Sequence, residues 1–351
     1  MSNYNIAVVP GDGIGQEIVP EGMRVLDAAA EKHHFELKYT TFPYSAEHYQ
    51  KTGEFMPADA LETLKKYDAI YFGAIGHPDV DDTLPATRYT FRVRKGLQQY
   101  VNYRPVKLIP GVPSPLRNAQ PGKVDFVIVR ENTEGEFSEM GTFFNPGQPD
   151  GFALQTSVFT RKGIERVTHY SFQLARKRRG LVTNVTKSNT LIHSMLYWDQ
   201  LIENVSSQYP DVTYEKMYVD NASANFVLHP EHFDVILTTN MIGDILSDLG
   251  ASLMGSLGLG PSGNLNPEKN YPSMFEPIHG SAPDIAFKGI ANPTSAIWSG
   301  AFMLDHIGEQ QAAQAIEKAI FAALKDRSNW PADLGGSAST SQVTDAIIAA
   351  L

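Results

Sequence analysis

The sequence of 351 residues contains no cysteine, and this absence excludes several classes of protein. Disulfide frameworks, thiolate zinc sites and cysteine nucleophiles all require that side chain. Long apolar runs are also missing: no stretch of about eighteen apolar residues occurs, so a membrane-spanning helix is not expected. The chain carries 29 Lys and Arg against 39 Asp and Glu, a formal net charge of −10, so it has no basic surplus for binding nucleic acid.

The remaining composition is that of a folded globular protein. Hydrophobic residues make up 42% of the chain and charged residues 19%, and the length allows two or three lobes around a large core. Residues 1–4 (MSNY) do not form a basic stretch followed by an apolar one, so a secretory signal is not expected. We therefore expect a cytoplasmic location.

Strand patterns and helix patterns alternate in the first part of the chain. They follow one another at residues 5–9, 16–32, 37–42, 58–67 and 69–73. This β-α-β-α-β alternation predicts a largely parallel sheet covered by helices. Two later segments, 105–122 and 258–266, are rich in proline and glycine. We interpret the first as a linker between lobes and the second as a ligand-binding loop.

A glycine-rich turn, residues 11–15 (GDGIG), follows the first strand pattern. The dinucleotide fingerprint GxGxxG would need glycine or alanine five residues after Gly11, but that position is Gln16. An ordinary Rossmann site is therefore not predicted, and a tight turn that needs glycine backbone angles is the simpler interpretation. The sequence also lacks the P-loop pattern GxxxxGK(S/T).

Two aspartates, Asp244 and Asp248, are spaced i and i+4 in a helix pattern that follows a buried strand. They share one face of that helix, where two carboxylates repel each other unless a cation lies between them. Oxygen ligands of this kind suit Mg²⁺ or Mn²⁺. Asp220, at the end of another strand pattern, is a third candidate ligand. The pattern fits an alternative interpretation equally well. In that interpretation Asp244 caps its helix, Asp248 is solvated, and Asp220 is a turn residue.

Three arginines and a lysine are candidates for binding and activating an acidic substrate. The guanidinium groups of Arg94, Arg104 and Arg130 could bind carboxylates bidentately, and Arg130 directly follows a buried strand pattern. Lys187 follows another strand pattern and could act as a general base if it is desolvated. A solvated helix face for Arg94 and a surface position for Lys187 remain the alternatives.

A last candidate segment is residues 274–286 (MFEPIHGSAPDIA), which combines turn residues with His279 and Asp284. This composition suits a loop wrapped around a polar ligand. It fits an ordinary surface loop equally well.

Together, five motifs make the chain resemble the β-decarboxylating dehydrogenases, the family of isopropylmalate, isocitrate, homoisocitrate, D-malate and tartrate dehydrogenases. They occur in the family's order at residues 11–15, 130–135 (RENTEG), 186–189 (TKSN), 240–248 and 279–292. Within the family, the chain is most similar to the tartrate/D-malate branch. That similarity lies at residues 100–106, 110–113, 157–161 and 271–277.

The resemblance implies an α/β fold of the isopropylmalate dehydrogenase type, with two domains and a mixed, mostly parallel sheet flanked by helices. The large domain would comprise residues 1–99 and 252–351 and carry the loop for the NAD adenosine. The small domain, residues 100–251, would carry a dimer interface and an arm near residues 137–159. A homodimer with shared active sites is implied, with no nucleic-acid or membrane partner.

The resemblance also assigns roles to individual residues. Arg94, Arg104 and Arg130, with Thr90, would bind a small malate-like dicarboxylate. Lys187 and Asp220 of the partner subunit would be catalytic, the lysine relaying the hydroxyl proton and the aspartate joining Asp244 and Asp248 around Mg²⁺ or Mn²⁺. The residues implied to bind NAD are His279, Gly280, Ser281, Ala282, Asp284, Ile285, Asn292 and Asn189. Asp284 would accept hydrogen bonds from the adenosine ribose and repel a 2′-phosphate, which indicates NAD rather than NADP.

Two positions depart from the family pattern. Relatives place a tyrosine seven residues after the equivalent of Arg130, where it protonates the enol carbon after decarboxylation, but this chain has Phe137. In the segment that reads the substrate's variable group, residues 88–91 (RYTF) match neither the isocitrate nor the isopropylmalate pattern. The first alternative function is therefore an isopropylmalate-, homoisocitrate- or isocitrate-type dehydrogenase. The second is a weakly active or regulatory paralogue, unless a tyrosine such as Tyr89 or Tyr103 replaces the missing phenol.

Overall fold

Ten strands form one mixed sheet and two form a separate antiparallel hairpin in the computed structural model, which describes residues 2–118 and 120–351. The strands are β1 Asn3–Gly11, β2 Glu36–Thr41, β3 Ala69–Ala74, β4 Val101–Lys107, β5 Asp125–Glu131, β6 Gly135–Phe144, β7 Phe152–Val158, β8 Leu181–Thr186, β9 Thr213–Tyr218, β10 Val235–Thr238, β11 Pro261–Leu265 and β12 Ser273–Pro277. The order in the sheet is β2-β1-β3-β12-β11-β4-β5-β10-β8-β9, and β6 pairs with β7.

Most neighbouring strands of the sheet run parallel. The exceptions are at its centre, where β11 is antiparallel to β12 and β4 is antiparallel to both β11 and β5. The chain belongs to the α/β class, and the expected mixed, mostly parallel sheet is confirmed. Strands β3 and β10 are buried throughout, because helices cover both faces of the sheet.

The helices connect the strands and close the two faces. Their bounds are α1 Gly15–His33, α2 Ala46–Thr52, α3 Ala60–Leu64, α4 Thr83–Pro85, α5 Phe91–Gly96, α6 Arg161–Arg176, α7 Ser194–Ser206, α8 Val219–Leu228, α9 Asn240–Leu253, α10 Thr294–Ile307, α11 Gln310–Ala323 and α12 Thr340–Ala350. A single π-helical turn, Ala86–Thr90, joins α4 to α5. Within the described ranges, no helix is long and apolar enough to cross a membrane.

The interpretation of residues 258–266 as a ligand-binding loop is wrong. Residues 261–265 form β11, which is buried along its whole length. Proline, serine, glycine and asparagine are turn formers by themselves, but two neighbouring strands supply β11 with hydrogen-bond partners. The interpretation of residues 105–122 as a linker is wrong at its start, because Pro105 to Lys107 complete β4 and pair with β5.

The predicted division into two domains falls between β11 and β4, inside the continuous sheet. It remains a prediction. The arm predicted near residues 137–159 corresponds to the hairpin of β6 and β7. Its outer end exposes aromatic side chains, with Phe143 76% exposed and Phe144 stacked on Phe152 at a ring-centroid distance of 4.5 Å.

Candidate active site

Three buried arginines meet two aspartates near the centre of the sheet. Arg104 lies on β4, Arg130 near the end of β5 and Arg94 on α5, and each is at most 6% exposed. Asp244 and Asp248 lie on α9, which packs against β4 and β5. We call these five residues the arginine corner. The alternative of a solvated helix face for Arg94 is therefore wrong.

The corner is held by charge-assisted hydrogen bonds. Arg130 donates from Nη1 to Asp244 and from Nε to Asn240 Oδ1, the latter at 2.9 Å. Arg104 Nη1 donates to Ser247 Oγ at 2.6 Å and lies 3.6 Å from a carboxylate oxygen of both Asp244 and Asp248. These contacts fix the corner before any substrate binds.

Arg94 forms the third side of the corner through a buried ion pair. Its Nη2 donates to Glu276 Oε1 at 2.9 Å. Asn264 on β11 donates to the same oxygen at 2.5 Å, and Asn102 on β4 donates to Asn264 Oδ1 at 3.0 Å. A buried polar network therefore links Arg94 to the centre of the sheet.

The pKa values of the two aspartates shift in opposite directions. Burial raises the pKa of Asp244, but the charges of Arg130, Arg104 and Arg94 outweigh it and hold that pKa below its ordinary value. The pKa of Asp248 is raised by burial and by the like charge of Asp244, with Arg104 opposing both. The corner therefore favours the ionised form of Asp244 more than that of Asp248.

A glycine allows α9 to approach β5 closely. A Cβ atom added at Gly243 would lie 2.6 Å from Arg130 Cβ, which is too close for real atoms. Position 243 directly precedes Asp244, so the same close approach brings the carboxylate to the arginine. The helix also begins at Asn240, four residues before its predicted start, so Asp244 does not cap it.

The two aspartates of the corner fit a divalent cation, but as an incomplete set. Both offer carboxylate oxygens on one helix face, the ligand type that Mg²⁺ and Mn²⁺ prefer. Across residues 2–118 and 120–351, no group of three or more His, Cys, Asp and Glu side chains is placed to hold a metal. The predicted third ligand, Asp220, is thus not beside them in the same chain.

Asp220 instead pairs with Lys187. It lies in the first turn of α8 rather than at the end of a strand, which corrects the sequence interpretation. Lys187 Nζ donates to its carboxylate, and this hydrogen bond lowers the pKa of Asp220. The side chains are 30% and 65% exposed for Lys187 and Asp220.

Sheet order explains why this pair and the corner are separate. Lys187 follows β8 and Asp220 follows β9, two and three strands away from β5. Neighbouring strands lie about 4.8 Å apart, so the two residues lie roughly 10 and 14 Å along the sheet from the end of β5. Among the described residues, Lys187 and Asp220 pair with each other, and the aspartates of the corner pair with Arg104 and Arg130 instead.

An aromatic wall borders the corner on the side of the arm. Phe137, on β6, stacks on Phe91 at 5.6 Å between ring centroids, and the guanidinium carbon of Arg130 lies 5.7 Å from the centre of the Phe137 ring. Phe91 follows the π-helical turn in which Thr90 Oγ1 donates to the carbonyl of Pro85 at 3.5 Å. Turns of this kind are frequent at functional sites.

Neither tyrosine considered as a replacement for the missing phenol is suitably placed. Tyr89 is fully buried, and burial raises the pKa of its hydroxyl far above the usual range. Tyr103 is the neighbour of Arg104 on β4, so its side chain lies on the opposite face of the sheet. It packs edge-on against Phe302.

The predicted cofactor loop lies against the glycine-rich turn. Ile14 donates its backbone N–H to the carbonyl of Ser281 at 2.9 Å, and Gly13 leaves room for that contact, since a Cβ there would lie 2.1 Å from the same oxygen. Glu17 accepts backbone N–H groups of Phe287 and Gly289 farther along the loop. The turn thus positions the loop, as expected of a tight turn rather than a Rossmann phosphate site.

The loop residues predicted to bind the cofactor include an unpaired ring nitrogen and an exposed carboxylate. His279 Nε2 is buried without a hydrogen-bond partner in the described part of the chain, and burial lowers the pKa of the ring. Asp284 is exposed, whereas Asn292 is buried and donates to Asp333 at 3.0 Å. The other loop residues are Gly280, Ala282 and Ile285. Asn189 lies outside this loop, in the exposed turn after β8 near Lys187.

Several residues of the site were not singled out from the sequence. Glu276, Asn240 and Ser247 hold the three arginines, and Asp12 accepts three backbone N–H groups, from Ala46, Glu47 and Gly76. All four lie within motifs quoted above. Only the fold reveals their partners, because those partners come from distant parts of the chain.

These features define the class of protein. Residues 5–347 match the family model described as isocitrate/isopropylmalate dehydrogenase, and the chain belongs to that family. The resemblance recognised in the sequence is thereby confirmed.

Within this family, the chain is similar to two curated relatives and to a solved structure. The chain is 48% identical to D-malate dehydrogenase (decarboxylating) of Escherichia coli strain K12, over 99% of this chain and 98% of that protein. It is 49% identical to tartrate dehydrogenase/decarboxylase of Pseudomonas putida, over 98% and 97%. The crystal structure of isocitrate dehydrogenase from Methylococcus capsulatus matches with a TM-score of 0.90 and 34% identity, over 99% of both chains.

Proposed function

We propose that this chain oxidises a malate-like 2-hydroxy acid of the D-malate or tartrate type with NAD and Mg²⁺ or Mn²⁺, and that it works as a homodimer with shared active sites. Relatives named for D-malate and tartrate support the substrate class. One observation carries the proposal. Arg94 Nη1, Arg104 Nη2 and Arg130 Nη2 have no hydrogen-bond partner among the described residues and are not enclosed by protein atoms.

These donors are open to a ligand, and a hydrogen bond to a charged group contributes about 1.5–3 kcal/mol. An anionic ligand would satisfy them. The two carboxylates of a small dicarboxylic acid match the planar donors of the arginine corner, and buried guanidinium groups hold carboxylates in fixed orientations. The corner would therefore bind and orient the substrate.

The reaction needs a base for the 2-hydroxyl proton and an acceptor for the hydride. Lys187 of the partner subunit would take the proton, with Asp220 of the partner subunit beside it. A cation at Asp244 and Asp248 would supply the positive charge that lowers the hydroxyl pKa and stabilises enolate charge. NAD on the loop around Ser281 would accept the hydride.

The shared site is supported by exposed apolar side chains around the two half-sites. Ile245, next to Asp244 on α9, is 65% exposed, and Leu228 at the end of α8 is 67% exposed. Met241 on α9 and Val227 beside Leu228 are exposed as well, and apolar side chains that recur on two neighbouring helices fit a contact surface between chains. A second copy packed there would bring its own Lys187 and Asp220 towards the corner.

The weakly active or regulatory paralogue is favoured by Phe137 alone. Its ring carries no proton to donate, and its stacking on Phe91 fills the place of a phenol. The corner keeps the arginines and aspartates that substrate and metal binding would need. We therefore rank this second function below the first.

A substrate panel tests the proposal. With Mn²⁺ and NAD, we expect NADH formation to be fastest with D-malate or tartrate, compared with isocitrate, isopropylmalate and homoisocitrate. Chelator should abolish it, and added Mn²⁺ should restore it. Preference for isopropylmalate or isocitrate would favour the alternative substrates, and no turnover with any acid would favour the paralogue.

The preference for NAD rests on Asp284, an exposed carboxylate on the cofactor loop. A 2′-phosphate carries about two negative charges, and opposing like charges at an interface cost several kcal/mol. We predict that kcat/KM for NAD exceeds that for NADP by about tenfold or more, at about 1.4 kcal/mol per tenfold. Asp284→Asn should narrow the ratio, and the surface variant Asp345→Asn should leave it unchanged. Equal kcat/KM values for the two cofactors in the unmodified enzyme would contradict the assignment.

A further inference from the structure

A long bulge interrupts the arm where it passes the arginine corner. The paired positions on either side of it in β6 are Gly135 and Met140, and their partners on β7 are only two positions apart. Residues 136–139 of β6 therefore lie opposite a single residue of β7. Bulges bend a strand, re-aim its side chains and are frequent next to active sites. Phe137 lies inside this bulge, so regular strand pairing does not fix its position.

The side chain of Lys95, on α5, holds the bulge at two points. Its Nζ donates to Glu139 Oε2 at 2.8 Å and to the backbone carbonyl of Phe137 at 3.3 Å. Glu139 has a φ of 63°, in the left-handed region that residues other than glycine seldom adopt. The ammonium group also lies 5.6 Å from the centre of the Phe91 ring, within the range of a cation–π contact. Lys95 thus contacts the segments that carry both rings of the aromatic wall.

Helix α5 connects these contacts to the arginine corner. Phe91, Arg94 and Lys95 are spaced i, i+3 and i+4, so they are neighbours on one side of the helix. Arg94 is fixed in the corner by its buried pair with Glu276. Lys95 therefore joins the arm to the part of α5 that carries a corner arginine.

We propose that Lys95, acting with Glu139, is a positioning residue that sets the Phe91–Phe137 wall against Arg130. The proposal rests on the proposed function, because it gives the wall a part in orienting the substrate acid. The guanidinium carbon of Arg130 lies 5.7 Å from the centre of the Phe137 ring, so a displaced ring changes the packing of Arg130. Planar guanidinium donors need a fixed orientation to bind a carboxylate bidentately.

An ordinary surface ion pair is the alternative interpretation. The side chains of Lys95 and Glu139 are 34% and 43% exposed, and exposed pairs contribute little to stability. The two interpretations predict different results, because an ordinary surface pair would leave the Phe137 ring in place when it is removed.

The chain offers a matched control for Lys95. Lys65 is 31% exposed, pairs with Glu62 at 2.6 Å and lies 5.3 Å from the centre of the Tyr271 ring. These partners belong neither to the arm nor to the arginine corner. Removing the Lys65 ammonium group therefore removes the same kinds of contact at a different place.

The first experiment follows the ring of residue 137 in the purified full chain without substrate. para-Fluorophenylalanine is incorporated at that position alone by nonsense suppression, and its fluorine NMR resonance is recorded. We expect Lys95→Met, which keeps the apolar stem and removes the ammonium group, to shift the resonance. Lys65→Met should leave it unchanged. Lys95→Glu and Glu139→Lys should each shift it, and the double variant, which restores the ion pair with reversed charges, should return it towards its original position.

The second experiment measures turnover with Mn²⁺ and NAD. Lys95→Met should lower kcat/KM for D-malate by about threefold to tenfold, since it loses one exposed ion pair and one hydrogen bond to a carbonyl. KM for NAD should not change, because the cofactor loop makes none of these contacts. Lys65→Met should match the unmodified chain in both parameters. Melting curves identify a variant that fails to fold, and Glu139→Gln then takes the place of Lys95→Met.

An unmoved fluorine resonance in folded Lys95→Met would overturn the positioning role. A charge-reversed double variant no closer to the unmodified chain than the single variants would do the same. A resonance that shifts while kcat/KM stays constant would show that the wall does not orient the substrate, which also contradicts the proposal. No turnover of any acid by the unmodified chain would overturn the proposed function instead, and the fluorine resonance would still decide whether Lys95 positions the ring.

Discussion

The arginine corner and the Lys187–Asp220 pair lie at the same edge of one sheet but differ in the burial and fixation of their basic groups. The three arginines of the corner are buried and are held by Asn240, Ser247 and Glu276, whereas its aspartates Asp244 and Asp248 are 45% and 59% exposed. Lys187 and Asp220 are partly exposed, and they contact each other in the absence of other site residues. One region is a fixed cluster of buried guanidinium groups, and the other is an accessible ion pair apart from that cluster.

This difference shows what a single copy of the chain can do. The guanidinium charges of the corner are held in fixed positions and are poorly solvated, and charges act most strongly in such a place. The exposed pair gains little from its own attraction, because solvent screens it. In the proposed homodimer, this accessibility would let a second copy of the chain use the pair.

Mixing two inactive variants of the chain should give the largest change in turnover among these predictions. Lys187→Met removes the proposed base, and Asp248→Asn removes a proposed metal ligand, so each homodimer should lose about 10²–10⁴-fold in turnover. When the two variants are unfolded and refolded together, each mixed dimer should contain one site with both residues intact. Roughly a quarter of the unmodified activity should return, because half of a random mixture is mixed dimer and half of its sites work.

The same experiment separates shared sites from sites within one chain. Each variant refolded alone is the control and should stay inactive. Recovery of no activity in the mixture, with mixed dimers demonstrated by a tag on one variant, would contradict the shared site.

The arginine corner should be sensitive to shape as well as charge. Arg130→Lys keeps the positive charge but loses the planar donors that contact Asp244 and Asn240 together. We expect kcat/KM for the substrate to fall by about 10²-fold, equivalent to about 2.8 kcal/mol at about 1.4 kcal/mol per tenfold. Arg24→Lys, an exposed arginine paired with Glu21, is the matched control and should have no effect. A fall of less than threefold for Arg130→Lys would show that charge alone suffices.

The corner was largely predictable from the sequence, and the position of its partners was not. Arginines after buried strands and aspartates at i and i+4 are local patterns, so Arg130, Asp244 and Asp248 could be found. Glu276 and Asn264 are brought to Arg94 by antiparallel pairing of β11 and β12, which no local pattern encodes. The sequence of β11 is typical of a loop. Its burial depends on pairing with β4, which lies more than 150 positions earlier in the chain and places Asn102 opposite Asn264.

Phe137 tests whether the corner is complete as a catalytic site or only as a binding site. A phenol at this position, beside Arg130, would place an acid near the substrate. General acid catalysis contributes about 10²–10⁴-fold, but water can replace part of it, so Phe137→Tyr should raise decarboxylation by about tenfold and the hydride step by less. NADH and CO₂ formed from the same substrate give the two rates. Phe91→Tyr adds the same hydroxyl on the stacked ring and serves as the control. An unchanged or lower ratio of CO₂ to NADH would mean that another group donates the proton.

The smallest expected effect is a change in melting temperature, and it compares the Lys187–Asp220 pair with the arginine corner directly. Asp220→Asn removes the charge from an exposed ion pair, and such pairs contribute little to stability. Its melting temperature in chelator should therefore equal that of the unmodified chain, while its activity with Mn²⁺ is lost. Arg130→Gln should behave differently, because it leaves Asp244 without its partner in a half-buried site, and its melting temperature should fall clearly. If Asp220→Asn melted as early as Arg130→Gln, the Lys187–Asp220 pair would be part of the folded framework. The exposure of the pair would then not indicate a role in the active site of a second chain.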